Sequence, residues 1–304
     1  MKIKDLLLLA RPRHWIKNLI VLFPVIFAMR MADPQAWLSA GIAVAAFCLV
    51  ASAVYIVNDV RDREKDRQHP NKKDRPLAAG RVTVPAALFE AALFFVAGLI
   101  VGWVVTPLVC AVALAYVVLQ VSYTFGLKRK MLVDVMCIAL GFVLRAAAGA
   151  VAIRVMVSPW LVVCTFTICM FLGFCKRRNE LATLGGHVQA GRHRPTLAMY
   201  TPELLTHLIT LSAGVAIISY LLYATHPDVV ERFGTPYLIY TVPIVIYAVT
   251  RFAMLSMVGK YADPTDLITR DWPFQVAAAA WAAVTLAVIW WGKPLQDWIL
   301  SLYE

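Results

Sequence analysis

Long runs of apolar residues recur along the whole chain, and none of them carries a charged face. An α-helix needs about 20 such residues to cross the hydrocarbon core of a membrane. The pattern therefore predicts an all-α, polytopic membrane protein with about nine transmembrane helices. The predicted spans lie near residues 15–31, 36–57, 86–105, 108–125, 132–153, 160–175, 204–225, 236–258 and 274–291. Strands of a membrane barrel would alternate in character over about ten residues, and these runs do not.

The composition agrees with a membrane location. Hydrophobic residues make up 61% of the 304 residues and charged residues 15%, whereas soluble domains contain roughly half apolar and a quarter charged residues. A water-soluble fold could not bury so much apolar surface. We expect one integral membrane domain over residues 1–304, because no soluble domain or low-complexity tract interrupts the pattern.

The lysine and arginine residues indicate the orientation. Most of the 29 fall on the side of the N-terminus. The opposite side holds only Arg30, Arg154, Arg232 and Lys293. Cytoplasmic segments are enriched in Lys and Arg, so the N-terminus is predicted to be cytoplasmic in a bacterial-type inner (plasma) membrane.

The predicted cytoplasmic loops lie near residues 58–85, 126–131, 176–203 and 259–273. The net charge of +11 then describes one face of the molecule. Such a face would meet anionic lipid or an anionic substrate, and no nucleic acid partner is expected.

The first of these loops begins with an acidic stripe. Asn58, Asp62 and Asp66 recur at i, i+4 and i+8, a spacing that predicts one shared helix face. Carboxamide and carboxylate oxygens suit Mg²⁺, which is typically held by one or two carboxylates plus substrate phosphates. The alternative is a solvated helix end whose charges neutralise one another. A metal site is favoured, because acids that continue a membrane span are costly and usually functional.

Basic residues follow the stripe and are candidates for binding phosphate. Arg75 lies in the same loop, and an arginine can bind phosphate through two parallel hydrogen bonds. Lys128 lies in the next cytoplasmic loop, shortly before Asp134. Asp134 could ligate a second metal, bind a hydroxyl group or hold Lys128, and these alternatives remain open.

Arg145 lies within an otherwise apolar predicted span. A lone arginine near mid-span costs about 2.5–3.5 kcal/mol, so it should face a cavity or an anion. Pairing with Asp134 is the structural alternative, but the helix between them would be about 16 Å long. Phosphate contact is the favoured hypothesis. Lys176 and Arg177 end the sixth predicted span, where they could act in catalysis or serve only as a topology signal.

The order of these motifs resembles the UbiA superfamily of intramembrane prenyltransferases. The resemblance rests on the pattern Asn-Asp-x-x-Asp-x-x-x-Asp at residues 58–66 and on the series Tyr123, Lys128 and Asp134 after the fourth span. Within the superfamily, the likeness is closer to the decaprenyl-phosphate phosphoribosyltransferase branch. The residues that carry this closer likeness lie at 11–18, 75–80, 123–134, 144–149 and 176–181.

The resemblance implies a UbiA-type bundle with its active site on the cytoplasmic side. It implies 5-phosphoribosyl 1-diphosphate as donor, a polyprenyl phosphate such as decaprenyl phosphate as acceptor, and Mg²⁺ or Mn²⁺ as cofactor. The product would be a cell wall precursor, and a homo-oligomer is compatible with the family. The implied metal ligands are Asn58, Asp62 and Asp66, and the implied catalytic acids are Asp62, Asp66 and Asp134. The implied substrate-binding residues are Lys17, Arg75, Tyr123, Lys128, Arg145, Lys176 and Arg177.

One departure bears on the donor. The prenyl-diphosphate branch usually has a second aspartate four residues after the first in its second motif, where this chain has Ile138. A UbiA-type aromatic prenyltransferase with a prenyl diphosphate donor is the alternative function. A transporter or lipid flippase is a further alternative, but it would place polar residues through the midplane of the membrane, and here they cluster at one face.

Overall fold

The computed structural model describes residues 3–68, 72–183, 195–261 and 264–302. These residues contain helices and no strand, so the predicted all-α class is confirmed. Parts of three predicted cytoplasmic loops, residues 69–71, 184–194 and 262–263, lie outside the described residues. The chain forms two compact units, Met1–Val162 and Val163–Glu304. The prediction of one membrane domain stays a prediction, and each unit is described in turn.

The first unit is built around one long helix. Its α-helices are α1 (Ile3–Leu9), α2 (Phe23–Phe27), α3 (Pro34–Arg67), α4 (Val84–Val105), α5 (Pro107–Phe125) and α6 (Val133–Ala152). Its 3₁₀-helices are Pro12–Leu22 and Leu127–Arg129. The long helix α3 packs against α4, α5, α6 and the first 3₁₀-helix. Phe47 and Tyr116 are in the core between these elements.

The second unit has three long helices that pack as neighbours and one preceding helix. Its α-helices are α7 (Pro159–Thr183), α8 (Pro202–Thr225), α9 (Pro227–Phe233), α10 (Val242–Val258), α11 (Pro264–Arg270) and α12 (Trp272–Leu300). Its 3₁₀-helices are Pro195–Met199 and Tyr237–Thr241. The helix α10 packs against both α8 and α12. The hydroxyl of Tyr220 on α8 accepts a hydrogen bond from Trp281 of α12 at 2.9 Å.

Most of the long helices have proline as their first or second residue, and three of them begin with proline directly after a capping side chain. Asp33 caps α3, where its carboxylate accepts from the backbone N–H groups of Gln35 and Ala36 at 2.9 and 3.3 Å. Thr106 and Thr201 cap α5 and α8 in the same way. Proline suits the first turn of a helix, because the N–H it lacks would have no partner there. These local signals explain where the helices start.

Eight helices of the described residues are long and apolar enough to cross a membrane. They correspond to the second to ninth predicted spans. Large apolar side chains are exposed on them, as Phe89, Ile100 and Trp103 of α4 show, and this surface suits contact with lipid. The first predicted span, residues 15–31, differs because a 3₁₀-helix and the short α2 replace one long α-helix.

Residues 12–27, called here the N-terminal segment, run antiparallel to α3. Near its start, the indole N–H of Trp15 donates to Ser52 at 3.0 Å. Further along, the amide of Asn18 donates to the sulfur of Cys48 at 3.2 Å. Val25 then packs beside Ala36 near the beginning of α3. The segment therefore follows α3 over about 24 Å, because a helix rises about 1.5 Å per residue.

A 3₁₀-helix lets so short a segment reach this far. Its rise is about 2.0 Å per residue against about 1.5 Å in α2, so the 11 residues of the 3₁₀-helix and the 5 of α2 together extend about 30 Å, close to the thickness of the hydrocarbon core. This geometry supports a first crossing by the N-terminal segment. The number of nine crossings stays a prediction.

We expect single cysteines introduced at Lys4 and Arg30 in a cysteine-free variant to react from opposite sides of the membrane, the first from the cytoplasm. Impermeant maleimide labelling of intact cells and of inverted vesicles measures this. A cysteine at the exposed Lys73 serves as the cytoplasmic control. Labelling of both test positions from one side would show that the N-terminal segment does not cross.

Gly149 of α6 allows the N-terminal segment to approach closely. A Cβ atom at this position would collide with the carbonyl oxygen of Val21 and would lie 3.1 Å from the Cγ of Pro24. Gly41 on the exposed surface of α3 has nothing within 4 Å of such an atom. The two glycines therefore differ in what an added methyl group would do.

We expect Gly149→Ala to destabilise the protein by about 1–3 kcal/mol, because the backbone of the N-terminal segment must move. Gly41→Ala is the matched control and should be neutral or slightly stabilising, since alanine favours helix. Apparent melting temperatures of the purified variants in detergent measure both effects. Equal melting temperatures for the two variants would contradict the close approach.

Candidate active site

The helix α3 extends well past its apolar part, so the Asn-Asp motif is helical to Arg67. Lys128, in the second 3₁₀-helix, reaches across to this end of α3. Its ammonium donates to the two carboxylate oxygens of Asp62 at 2.9 and 2.8 Å and to the amide oxygen of Asn58 at 3.3 Å. Thr124, in the last turn of α5, donates to the same amide oxygen at 3.4 Å.

Asn58 and Asp62 thus direct three oxygen atoms at one cationic group. A carboxamide with a carboxylate is a suitable donor set for Mg²⁺, which takes phosphate oxygens and water for its other positions. The residues present therefore fit a divalent ion together with a phosphorylated substrate. Among the described residues, no three His, Cys, Asp or Glu side chains are grouped so that they could hold a metal ion.

Asp59 and Asp66 form a second cluster on the same helix. One terminal nitrogen of Arg75 donates to Asp66 at 2.7 Å and to Asp59 at 3.1 Å. Arg11, just before the N-terminal segment, forms an ion pair with the same oxygen of Asp59. We call these four residues the arginine cluster. Sequence reasoning missed Asp59 and Arg11 as functional candidates.

The arginine cluster gives Asp66 an ion pair besides the predicted helix face that it shares with Asn58 and Asp62. Seven residues separate Asp59 from Asp66, and at about 100° per residue they lie within about 20° of each other. Asp66 lies about 80° around α3 from Asn58 by the same geometry. The seven-residue spacing of the two aspartates was the signal that could have revealed the second cluster. The role of Asp66 as metal ligand stays a prediction.

A second ion pair joins the N-terminus to the loop between α3 and α4. Arg81 donates to the carboxylate of Asp5 on α1 at 2.9 Å and to the backbone oxygen of Asp74 at 2.7 Å. This pair lies outside the arginine cluster, since it includes no residue of α3. The loop of residues 72–82 is therefore attached to α3 through Arg75 and to α1 through Arg81.

Arg145 is 4% exposed and is satisfied by neutral groups of the first unit. Its guanidinium donates to Asn18 at 2.7 Å, to the backbone oxygen of Gly141 at 2.9 Å and to the hydroxyl of Tyr116 at 2.7 Å. Asn18 also contacts Cys48, which precedes Asn58 by about 15 Å along α3. Phosphate binding by Arg145 stays a prediction, and this geometry points to a structural role.

The other predicted residues of the first unit lie near the ends of their helices. Asp134 is fully buried in the first turn of α6, two residues after Leu132, whose φ is 64°. Tyr123 is partly buried in the last turns of α5, and Lys17 is exposed on the N-terminal segment. Their roles in binding or catalysis stay predictions.

The remaining candidates belong to the second unit. Lys176 is partly exposed on α7, and the adjacent Arg177 is buried and forms an ion pair with Glu180. Their roles in substrate binding also stay predictions.

Arg251, the other arginine within a predicted span, has a structural partner. Its guanidinium donates to both oxygens of Asp271 at 2.6 and 2.9 Å. The hydrogen bond from Arg251 lowers the pKa of Asp271 to about 2. Asp271 also accepts from the backbone N–H of Phe274 at 3.0 Å and so caps α12. This pair fixes α10 to the start of α12.

Polar and charged groups gathered at one end of a long membrane helix are typical of an enzyme that acts at the membrane surface. Residues 21–256 match the UbiA prenyltransferase family. The chain belongs to this family and is a membrane-embedded transferase. The resemblance seen in the sequence motifs is thereby confirmed.

Proteins with the name decaprenyl-phosphate phosphoribosyltransferase are similar over nearly the whole chain. The protein from Mycobacterium tuberculosis is 34% identical over 286 residues, which are 93% of this chain and 93% of the relative. The protein from Mycolicibacterium smegmatis is 33% identical over 301 residues, with 95% and 93% covered.

Solved structures of the family share the fold. The structure of a UbiA homolog from Archaeoglobus fulgidus bound to DMAPP and Mg²⁺ has a TM-score of 0.70 and covers 94% of this chain and 99% of that one. Its sequence identity is 18%, so this likeness supports the fold alone. The predicted UbiA-type architecture is confirmed.

We expect Arg145→Lys to lower the apparent melting temperature by several degrees, because lysine cannot make the same directed bonds to Asn18 and Tyr116. Arg30→Lys, at an exposed arginine of the same unit, is the control and should change little. Thermal unfolding in detergent measures both. Unchanged stability with a raised donor KM would instead assign Arg145 to phosphate binding.

Proposed function

We propose that this protein transfers 5-phosphoribose from 5-phosphoribosyl 1-diphosphate to a polyprenyl phosphate such as decaprenyl phosphate, releasing diphosphate in a reaction that needs Mg²⁺ or Mn²⁺. The convergence of Asn58 and Asp62 on a single cationic group carries the proposal. The names of relatives that cover most of the chain support the choice of donor and acceptor.

In this proposal, Asn58 and Asp62 hold the metal ion, with Asp66 as a further ligand or a supporting residue. A divalent ion held there would supply positive charge beside the diphosphate leaving group of the donor. The ion pair between Lys128 and Asp62 supports a role for Lys128 in binding the same diphosphate. Catalysis would come mainly from positioning and electrostatic stabilisation.

The acceptor needs little activation. A phosphate monoester carries about 1.5 to 2 negative charges at pH 7, so its oxygen can attack without a general base. We assign Lys17, Tyr123, Lys176 and Arg177 to substrate binding and Asp134 to metal or hydroxyl binding. The isoprenoid tail of the acceptor would lie against lipid-facing helices, and the active site would face the cytoplasm of a bacterial plasma membrane.

Ile138 favours a phosphoribosyl donor over a prenyl diphosphate. It lies one turn after Asp134 on α6, where a second acid would add a metal ligand. Without that acid, the second motif offers a single carboxylate. A UbiA-type aromatic prenyltransferase remains the second candidate.

Purified protein with labelled 5-phosphoribosyl 1-diphosphate and polyprenyl phosphate should yield a labelled lipid. Formation of a prenylated aromatic product instead would reject the proposal.

We expect EDTA to abolish transfer and Asp62→Asn to lower turnover by roughly a hundredfold or more, because the carboxylates would otherwise repel the anionic donor. Glu64→Gln is the matched control, since Glu64 lies on the same helix end but is exposed and pairs with Arg63 and Arg67. Turnover with and without added Mg²⁺ measures these effects. Full activity of Asp62→Asn, or of the wild type in EDTA, would reject the metal site.

A further inference from the structure

Asp59 is the most deeply buried of the acids at the end of α3, with 3% of its surface exposed. Removal of a carboxylate from water is costly unless the charge is paired. Arg11 and Arg75 both donate to the same oxygen of Asp59. The proposed transfer assigns no role to Asp59 or Arg11, so the reason for two arginines here is open.

Arg75 uses one terminal nitrogen, Nη1, for both of its ion pairs. Its Nε and Nη2 atoms donate to no other residue in the described parts of the chain. These two atoms form the edge of a guanidinium that binds phosphate through parallel hydrogen bonds. The side chain is 30% exposed. An anion can therefore reach this edge without breaking the bonds to Asp59 and Asp66.

Arg11 is held in a comparable way. It uses Nη2 for Asp59, and its guanidinium lies over the ring of Tyr55 at 5.3 Å. Within the described residues, its other nitrogens donate to no side chain or backbone oxygen. Two guanidinium groups thus meet at one carboxylate oxygen, and both keep donors for a further ligand.

Charge pairing and attachment of the loop account for the ion pairs, but they do not account for the N–H donors that both arginines keep unused. Asp5 and Arg81 already join the N-terminus to the same loop. Two arginines neutralise the two buried acids Asp59 and Asp66, and both side chains remain partly exposed, at 17% and 30%. The excess of directed donors is typical of anion recognition.

We propose that Asp59 is a positioning residue that orients Arg11 and Arg75 so that together they bind one phosphate monoester. This site is separate from the diphosphate and metal site at Asn58 and Asp62. The assignment deepens the proposed function and rests on it for the identity of the ligand, because that reaction brings two phosphate monoesters together.

The two sites lie on neighbouring faces of α3. Asp59 lies about 100° around the helix from Asn58 and about 60° from Asp62, and Asp66 lies about 40° from Asp62. A donor with a diphosphate at one end and a phosphate at the other could occupy both sites. The phosphate of the lipid acceptor is the other source of a monoester, and it would approach the arginine cluster from the membrane.

The test measures binding of two probes, ribose 5-phosphate and a short-chain prenyl monophosphate, to the full-length protein in EDTA. We expect Asp59→Asn and Arg75→Lys to weaken binding of one probe by about tenfold or more. The affected probe identifies the donor or the acceptor as the source. Asp5→Asn, which breaks the other ion pair of the same loop, should leave both affinities within about twofold.

The direction of the change in affinity distinguishes positioning of the arginines by Asp59 from a simple effect of its charge. Loss of the negative charge of Asp59 would strengthen anion binding if the arginines needed no orientation. Unchanged or tighter binding of both probes in Asp59→Asn would therefore overturn the proposal, as would an equal loss in Asp5→Asn. If Asp59→Asn does not fold, the affinities of Arg11→Lys and Arg75→Lys for the same two probes test the proposal.

A second readout checks the separation of the two sites. Inhibition by Mg²⁺-diphosphate should be the same in the wild type and in Arg11→Lys, because that inhibitor binds at Asn58 and Asp62. The transfer assay distinguishes the two proposals. Arginine-dependent binding of a monoester without phosphoribosyl transfer would reject the proposed function and support the monoester site. Phosphoribosyl transfer without arginine-dependent binding would reject the monoester site and support the proposed function.

Discussion

Asp59 and Asp66 are buried at the end of α3, where an unpaired carboxylate would cost several kcal/mol. Arg75, from the loop after α3, and Arg11, from the N-terminus, satisfy these charges. The requirement to pair buried charge therefore draws two distant segments onto one helix. Lys128 acts in the same way at Asp62, and together these contacts assemble the polar end of the first unit.

A buried charge must also find partners in the interior of the first unit. Arg145 lies among apolar helices, and its partners are neutral oxygens on α5, α6 and the N-terminal segment. The segment can lie this close because Gly149 has no side chain. A buried cation and a missing methyl group thus hold the N-terminal segment against the bundle, and this segment begins directly after Arg11 of the arginine cluster.

The two polar faces of α3 present different chemical groups to a ligand. One face offers neutral and acidic oxygens to a cation, and the neighbouring face holds arginines by their carboxylate partners. A metal-bound diphosphate and a phosphate monoester need such different surroundings, because the first is already neutralised by its ion and the second needs directed N–H donors. One helix end can therefore serve a reaction with several phosphate groups.

The long apolar runs by themselves predicted the helices α3 to α8, α10 and α12, since length and hydrophobicity decide which segments cross a membrane. The motifs of residues 58–66 and 123–134 also indicated the family and the location of the polar site. These features are local, so they can be read from neighbouring positions in the chain.

Only the tertiary structure decided which charges meet. Arg11 and Asp59 are 48 positions apart, and Arg145 and Asn18 are 127 apart, so no local pattern relates them. Asp66 lies about 80° around α3 from Asn58, because the deviation of 3.6 residues per turn from four accumulates over eight residues, and only the structure shows that it meets Arg75 there. The 3₁₀-helix Pro12–Leu22 packs against α3 and α6, and hydrophobicity alone does not encode this conformation.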